Sequence, residues 1–317
     1  MKKVLFATTA LVATAGMAAA EVTWGGYGRF GLQYEEDRST NPNISDTNIE
    51  SRLRLQMDAS TETDGGVVFG ARFRAEANEN ANGTANGASF NGARFSAAYE
   101  GFEMQVGNIS DAIDDLPNFY GYEPGLIGKV GQYGNYAGPN NGYTSTGDGV
   151  NGVRFQYNVA DFQILGAYDQ DNDGTGTGTG TTATNTDVKN YSIHVAYTFS
   201  DWTVALGYAN SKDDGGASLK GTVLTVGGTL GIVDLAFFLA QDDSISGDNT
   251  SYGLSGAVEV GAATQIQVSL ADGDVGEFNW GLGVVHDLGG GVAIKGMVGQ
   301  EASNQNAVAD LGVQFNF

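Results

Sequence analysis

Side chains alternate between apolar and polar over most of this chain, and that period of two restricts the fold more than any other feature. The alternation is strictest over residues 48–58, where Ile49, Leu53, Leu55 and Met57 share one face and every residue of the other face is polar. Successive side chains of a β-strand point to opposite faces of the sheet, whereas apolar positions in a helix recur every three to four residues. The pattern therefore predicts strands with one apolar and one polar face.

Sixteen segments of this kind follow one another, and the connections between them alternate in length. Seven are short turns, such as Glu100-Gly101, and eight are longer polar loops, such as residues 242–250; residues 109–148 form the longest. An even number of antiparallel strands, with short turns at one end and long loops at the other, is typical of bacterial outer-membrane barrels. We expect an all-β fold, a 16-stranded antiparallel transmembrane β-barrel that occupies residues 21–317 as a single domain.

Aromatic residues gather near both ends of the predicted strands. Tyr99 and Phe102 flank one short turn, while Tyr34 and Tyr168 lie near the loop ends of their strands. Aromatic rings at two levels are typical of a barrel that sits between the two water interfaces of a membrane. A soluble β-sandwich would also alternate, but its apolar face would turn inward and would not need aromatic rows at both strand ends.

The N-terminus predicts export. Lys2 and Lys3 precede a short apolar run, which three alanines at 18–20 follow. A basic segment, an apolar run too short to span a bilayer and a small-residue cleavage site are the three parts of a secretory signal peptide. We expect residues 1–20 to be a signal peptide cleaved after Ala20, and the mature chain to reach the outer membrane of a Gram-negative cell.

Charge and cysteine content argue against other classes of protein. The chain has 37 acidic and 15 basic residues, and its net charge of −22 makes nucleic acid an unsuitable partner. It contains no cysteine, so it can form neither a disulfide framework nor a thiolate metal site.

Three segments resemble the general porins of Gram-negative bacteria, and are most like the Rhodobacter-type porins of alphaproteobacteria. They are Val22–Gly31, Tyr99–Asn108, which leads into the longest loop, and Leu311–Phe317. The resemblance implies that the loop at about 109–148 folds back into the barrel and narrows a water-filled channel for passive diffusion of small hydrophilic solutes and ions. It also implies a homotrimer in outer-membrane lipid and lipopolysaccharide, and recognition of the terminal Phe317 by the barrel-assembly machinery.

The polar faces of four successive strands carry six arginines. Ionised side chains are costly towards lipid and tolerated in a water-filled channel, so these residues are predicted to face the lumen. There they would form the positive half of a selective constriction, or brace the longest loop through salt bridges, and both roles can hold together. We name this set the arginine wall: Arg29, Arg52, Arg54, Arg72, Arg74 and Arg94.

The longest loop contains the acids Asp111, Asp114, Asp115 and Glu123. Its position in the sequence suits carboxylates that oppose the arginine wall and create a transverse field across the opening. Combined with the acidic net charge, this arrangement predicts modest cation selectivity. The alternative is a solvated extracellular loop, although about 40 residues without structure are unusual unless they are functional.

A weaker motif follows at Asp169, Asp171 and Asp173, which copy the first half of a calcium-binding loop. The twelfth position is Gly180 where such a loop has glutamate. Because the bidentate ligand is missing, a hydrated acidic loop is favoured and calcium binding is the alternative. We expect no cofactor to be required.

Other functions need groups that the sequence places poorly. Only His194 and His286 could supply an imidazole, and neither has a serine and an acid at a suitable spacing, so an enzyme is not expected. A barrel phospholipase would need serine and histidine at the lipid face, where His194 does not point. A receptor or adhesin barrel would put its length into several extracellular loops, whereas only one loop is long here.

Overall fold

The computed structural model describes residues 20–39, 41, 43–79, 84–171, 188–213, 218–245 and 247–317. Residues 1–19 lie outside these ranges, so the predicted signal peptide does too. No helix long and apolar enough to cross a membrane occurs in the described ranges. Their regular structure consists of β-strands alone.

Seventeen strands form one antiparallel sheet. They are β1 (Glu21–Glu35), β2 (Thr47–Glu62), β3 (Val68–Asn78), β4 (Ser89–Phe90), β5 (Arg94–Tyr99), β6 (Phe102–Gly107), β7 (Gly152–Val159), β8 (Phe162–Asp171), β9 (Val188–Phe199), β10 (Trp202–Asp213), β11 (Ser218–Leu230), β12 (Val233–Ile245), β13 (Gly247–Glu259), β14 (Thr264–Gly273), β15 (Asn279–Gly289), β16 (Val292–Gln300) and β17 (Ala307–Asn316).

The sheet closes on itself because β1 pairs with both β2 and β17. The short strand β4 and the longer β5 both pair with β3, through Ala75↔Phe90 and Arg72↔Arg94, so together they fill one position in the wall. The wall therefore has sixteen positions, and the predicted 16-stranded antiparallel barrel is confirmed. Closure removes the unpaired edges that a membrane would not tolerate.

Short turns join the strands at one end of the barrel, as the sequence predicts. In the turn between β5 and β6, Glu100 has φ 44° and Gly101 has φ 85°. Two consecutive positive φ angles match the right-handed twist of a tight hairpin, and glycine adopts them without steric cost.

The predicted loop at 242–250 is wrong in its bounds. Strand β12 extends to Ile245 and β13 begins at Gly247, with Asp242 and Asn249 paired across the two strands. The Asn249 amide also donates to Asp242 Oδ1 at 3.1 Å. Polar residues continue the strands here because their side chains bond to each other. The apolar alternation therefore ends before the backbone pairing of β12 with β13 does.

The apolar faces point out of the barrel, towards lipid. Ile49 is 66% exposed and Leu53 51%, although both belong to regular strands. Buried apolar side chains instead lie inside, between the wall and the long segment that joins β6 to β7. We refer to this segment, residues 109–148, as loop 3.

Candidate functional site

Loop 3 folds into the barrel and packs against the inner wall. Its Ile113, Leu116 and Phe119 are buried against small and apolar residues of β9–β12, including Ala205 and Phe238. The predicted inward fold of the longest loop is confirmed. An apolar contact area of this kind stabilises the loop by removing its side chains from water.

Wall side chains also pair with the loop backbone. Ser192 Oγ accepts from Ala112 N at 2.8 Å, and Ser255 Oγ accepts from Tyr122 N at 2.8 Å. On β17, the buried Asp310 accepts from Leu126 N at 2.8 Å through one oxygen, and from Ile127 N at 3.2 Å through the other. The chain thus satisfies buried amides of the loop with polar groups from widely separated strands.

Asp111 lies at the base of loop 3 and is only 4% exposed. Its carboxylate accepts from the backbone amides of Ile113, Asp114 and Asn141 at 2.8, 2.7 and 3.0 Å. Burial raises the pKa of this carboxyl to about 7. Asp111 therefore links the two ends of loop 3, because its carboxylate accepts hydrogen bonds from backbone amides of both.

The other predicted loop acids also have local partners. Tyr120 donates to Asp114, Asp115 pairs with Arg154 of β7, and Tyr133 donates to Glu123 at 2.6 Å. Burial raises the pKa of the Glu123 carboxyl. Their proposed action across the opening stays a prediction.

Four members of the arginine wall pair with carboxylates of neighbouring strands. Arg54 and Arg72 lie directly opposite Glu76 and Asp58 in the β2–β3 register, and both Nε–oxygen distances are 2.5 Å. The shared Glu76 is also 3.6 Å from Arg52. These are cross-strand pairs, which the alternation of a sheet brings together on one face.

Arg29 completes that group and reaches loop 3 as well. Its Nε lies 2.5 Å from Glu50, and its Nη1 donates to Leu126 O at 3.2 Å. The arginine wall therefore holds loop 3 partly through a hydrogen bond from Arg29 to the loop backbone. The bracing predicted from the sequence was through salt bridges.

Arg74 and Arg94 both contact one aromatic ring in the last part of loop 3, before β7. The two guanidinium carbons lie 4.6 and 4.7 Å from the centre of the Tyr143 ring. Arg74 Nη1 also donates to Ser145 Oγ at 3.3 Å. The wall and the loop are therefore in direct contact here.

Open space remains along β1–β3. One cavity of about 300 Å³ is lined by Tyr27, Arg54, Gln56, Asp58 and Arg74, among others. A second, of about 550 Å³, lies nearer the loop ends and includes Glu35, Asn48 and Lys129. Most of the lining side chains are charged or polar, so the inner surface of this side of the barrel suits hydrated solutes.

Several site residues escaped the sequence prediction. Arg154 and Asp310 hold loop 3, and His194 contacts Ala112 O through Nδ1 at 2.6 Å. The alternation along each strand was the available signal, because it places these polar residues on inward faces. Inward alanines such as Ala205 were a second signal, because small side chains leave room for a packed loop.

The predicted calcium motif is described only in part. Asp169 is buried, and its two oxygens accept from Asn190 at 2.7 Å and from Asn141 of loop 3 at 2.9 Å. Asp173 lies outside the described residues, and the side chain of Asp171 does too. Within the described ranges, no group of three or more histidine, aspartate or glutamate side chains could hold a metal ion.

A closed sixteen-position barrel that is narrowed by an inward loop defines a channel-forming protein of the membrane. Residues 7–306 match the family described as Gram-negative porin. The chain is 30% identical to a porin of Fuscovulum blasticum and 28% identical to one of Rhodobacter capsulatus, in both cases over 94% of this chain and the whole relative. This chain belongs to the Gram-negative porin family.

The similarity extends to solved structures. A triple mutant of Rhodopseudomonas blastica porin superimposes with a TM-score of 0.78 at 27% identity, over 94% of this chain and all of that one. Another variant of the same porin gives a TM-score of 0.79 at 26% identity with the same coverage. The chain is accordingly an outer-membrane channel of the porin type.

Proposed function

We propose that the protein lets small hydrophilic solutes and ions cross the outer membrane by passive diffusion. The observation that carries this proposal is the fixed position of loop 3, whose packing on β9–β12 leaves a polar opening along β1–β3. A solute in contact with guanidinium, carboxylate and amide groups keeps hydrogen bonds that it would lose in lipid. Diffusion down a gradient requires no cofactor.

We also propose that the protein works as a homotrimer in lipid and lipopolysaccharide after insertion by the barrel-assembly machinery and cleavage after Ala20. The exposed apolar faces of the strands support a lipid environment. An enzymatic role finds no support in the histidines. His194 is held by Ala112 O and Gln163, and His286 Nδ1 lies 2.8 Å from Thr264 Oγ1.

Liposomes that contain the refolded protein are expected to admit small sugars and to exclude large polymers. The opening is polar and narrowed by loop 3, so size and hydration decide passage. Swelling rates in isosmotic sugars of increasing mass measure the limit. Protein-free liposomes are the control, and tight liposomes that contain folded barrel would refute the proposed channel.

We propose modest cation selectivity, because the acidic net charge gives the channel mouths a negative potential. The preference should grow at low salt, where the screening length rises from about 8 Å near physiological strength to about 30 Å at 0.01 M. The sign of the reversal potential in a KCl gradient across a planar bilayer measures it.

Two double variants test where this selectivity arises. Replacement of Asp114 and Asp115 with Asn should shift the reversal potential towards anions, because two negative charges leave loop 3. Replacement of Arg52 and Arg54 with Gln should shift it towards cations, since Glu76 then lacks both of its guanidinium partners. If both variants kept the wild-type reversal potential at low salt, the selectivity site would lie elsewhere in the channel.

A further inference from the structure

Two of the six wall arginines differ from the others in their electrostatic partners. Arg29, Arg52, Arg54 and Arg72 each form a salt bridge with a carboxylate. Within the part of the chain that the structure describes, Arg74 and Arg94 form none. The N–H groups of Arg74 donate to neutral oxygens of Gln56 and Ser145, and the Arg94 side chain donates to no described residue.

Two acids of the neighbouring strands, Asp58 on β2 and Glu103 on β6, already accept hydrogen bonds from other side chains. Asp58 accepts from Arg72 through Oδ1 and from Gln56 through Oδ2, both at 2.5 Å. Glu103 accepts from Gln105 at 3.0 Å. Two half-buried guanidinium groups therefore carry positive charge that no adjacent carboxylate balances directly, and such charge is costly unless a counter-charge approaches.

Tyr143 fixes the geometry of the pair. Both guanidinium carbons lie over its ring, and such a cation–π contact uses none of the N–H donors of the two arginines. The limb that carries this ring is held in turn, because Thr144 O accepts from the side-chain amides of Asn91 at 2.6 Å and Asn108 at 3.0 Å. The phenol oxygen of Tyr143 is buried and has no hydrogen-bond partner within the described ranges.

We propose that Arg74, Arg94 and the Tyr143 hydroxyl form a binding site for a small oxyanion, of which inorganic phosphate is the simplest. The planar guanidinium edge matches two oxygens of a tetrahedral oxyanion, and the hydroxyl supplies a further donor. The proposal deepens the diffusion function and rests on it. A bound oxyanion places negative charge beside the opening, so it slows other anions and strengthens the preference for cations.

The test titrates inorganic phosphate into KCl at constant ionic strength and neutral pH while single-channel conductance and reversal potential are recorded. The wild type should show a saturable fall in conductance and a shift towards cations. Arg94→Gln and Arg74→Gln should each raise the half-effect concentration about tenfold or more, since each removes a charge-assisted contact. Tyr143→Phe keeps the ring and should raise it less.

The double variant Arg72→Gln, Asp58→Asn is the control, because it removes another guanidinium of the same wall together with its carboxylate partner and so frees no acid to approach the pair. Normalised to its own conductance without phosphate, it should keep the wild-type half-effect concentration within about twofold. A phosphate effect that does not saturate, or that is equal in all variants, would be explained by ionic screening alone. Either result would overturn the proposed site.

Phosphorus NMR of the detergent-solubilised barrel separates binding from conduction. The inorganic phosphate line should broaden with the wild type and with the Arg72→Gln, Asp58→Asn control, and stay narrow with Arg94→Gln. Equal linewidths for all three proteins would also overturn the site. A barrel that binds phosphate but passes no current would contradict the diffusion function, whereas a conducting barrel without phosphate binding would contradict the oxyanion site alone.

Discussion

The double variant Arg154→Gln, Asp310→Asn is expected to release loop 3 and make the channel wider and noisier. Arg154 is the wall partner of Asp115, and Asp310 accepts two backbone amides from the loop. Loss of the ion pair and of one carboxylate acceptor should weaken the anchorage by about 3 kcal/mol, which multiplies the detached population about 100-fold. Single-channel recordings should show higher mean conductance and larger open-channel noise.

The variant Arg72→Gln, Asp58→Asn is matched in charge, because it also removes one positive and one negative group from the wall. Its salt bridge joins β2 to β3 and does not involve loop 3. It should change conductance through electrostatics alone, without the added noise. Equal noise in the two double variants would mean that Arg154 and Asp310 do not hold the loop.

Phe317→Asp is expected to abolish most outer-membrane insertion. Phe317 closes the barrel by exchanging backbone hydrogen bonds with Gly26, at 2.9 and 3.1 Å. The residue is 58% exposed, and its side chain lies on the outer face, where a carboxylate would be unfavourable beside lipid. The variant also lacks the terminal aromatic through which, as we propose from the porin resemblance, the assembly machinery recognises the chain. Heat-modifiable trimer in outer-membrane fractions measures the yield.

The neighbouring Asn316→Asp provides the control, since it adds the same charge on the opposite face of β17. It leaves Phe317 in place and keeps the backbone bond from Asn316 N to Gly291 O at 2.9 Å. Its yield should stay near that of the wild type. Normal insertion of Phe317→Asp would show that neither the terminal ring nor its lipid-facing position matters for assembly.

The strands of the barrel were predictable because side-chain alternation is a local signal. Residues 48–58 lie within β2, and their strict alternation reports which face meets lipid without reference to any other strand. The turn at Glu100-Gly101 was similarly evident from its position between two short apolar runs. Ends of strands were less predictable, since Asp242 and Asn249 extend the pairing through side-chain contacts that alternation does not encode.

The interior of the barrel was predictable only in part. Parity predicted an inward face for Arg52 and Arg54, but it could not give their partners Asn78 and Glu76, which depend on the register with β3. The backbone-amide partners of Asp111 were not predictable, because loop 3 folds on itself in a way that no sequence period reports. The pairing of Arg154 with Asp115 likewise exists only after the loop has turned inward.

The order of residues along the chain also fixes an order of events during folding. Loop 3 precedes every strand from β7 to β17, yet its partners Ser192, Ser255 and Asp310 lie on β9, β13 and β17. The loop cannot make its full set of contacts until the last strand has joined the first. The final contacts that hold the bore narrow therefore wait for completion of the cylinder.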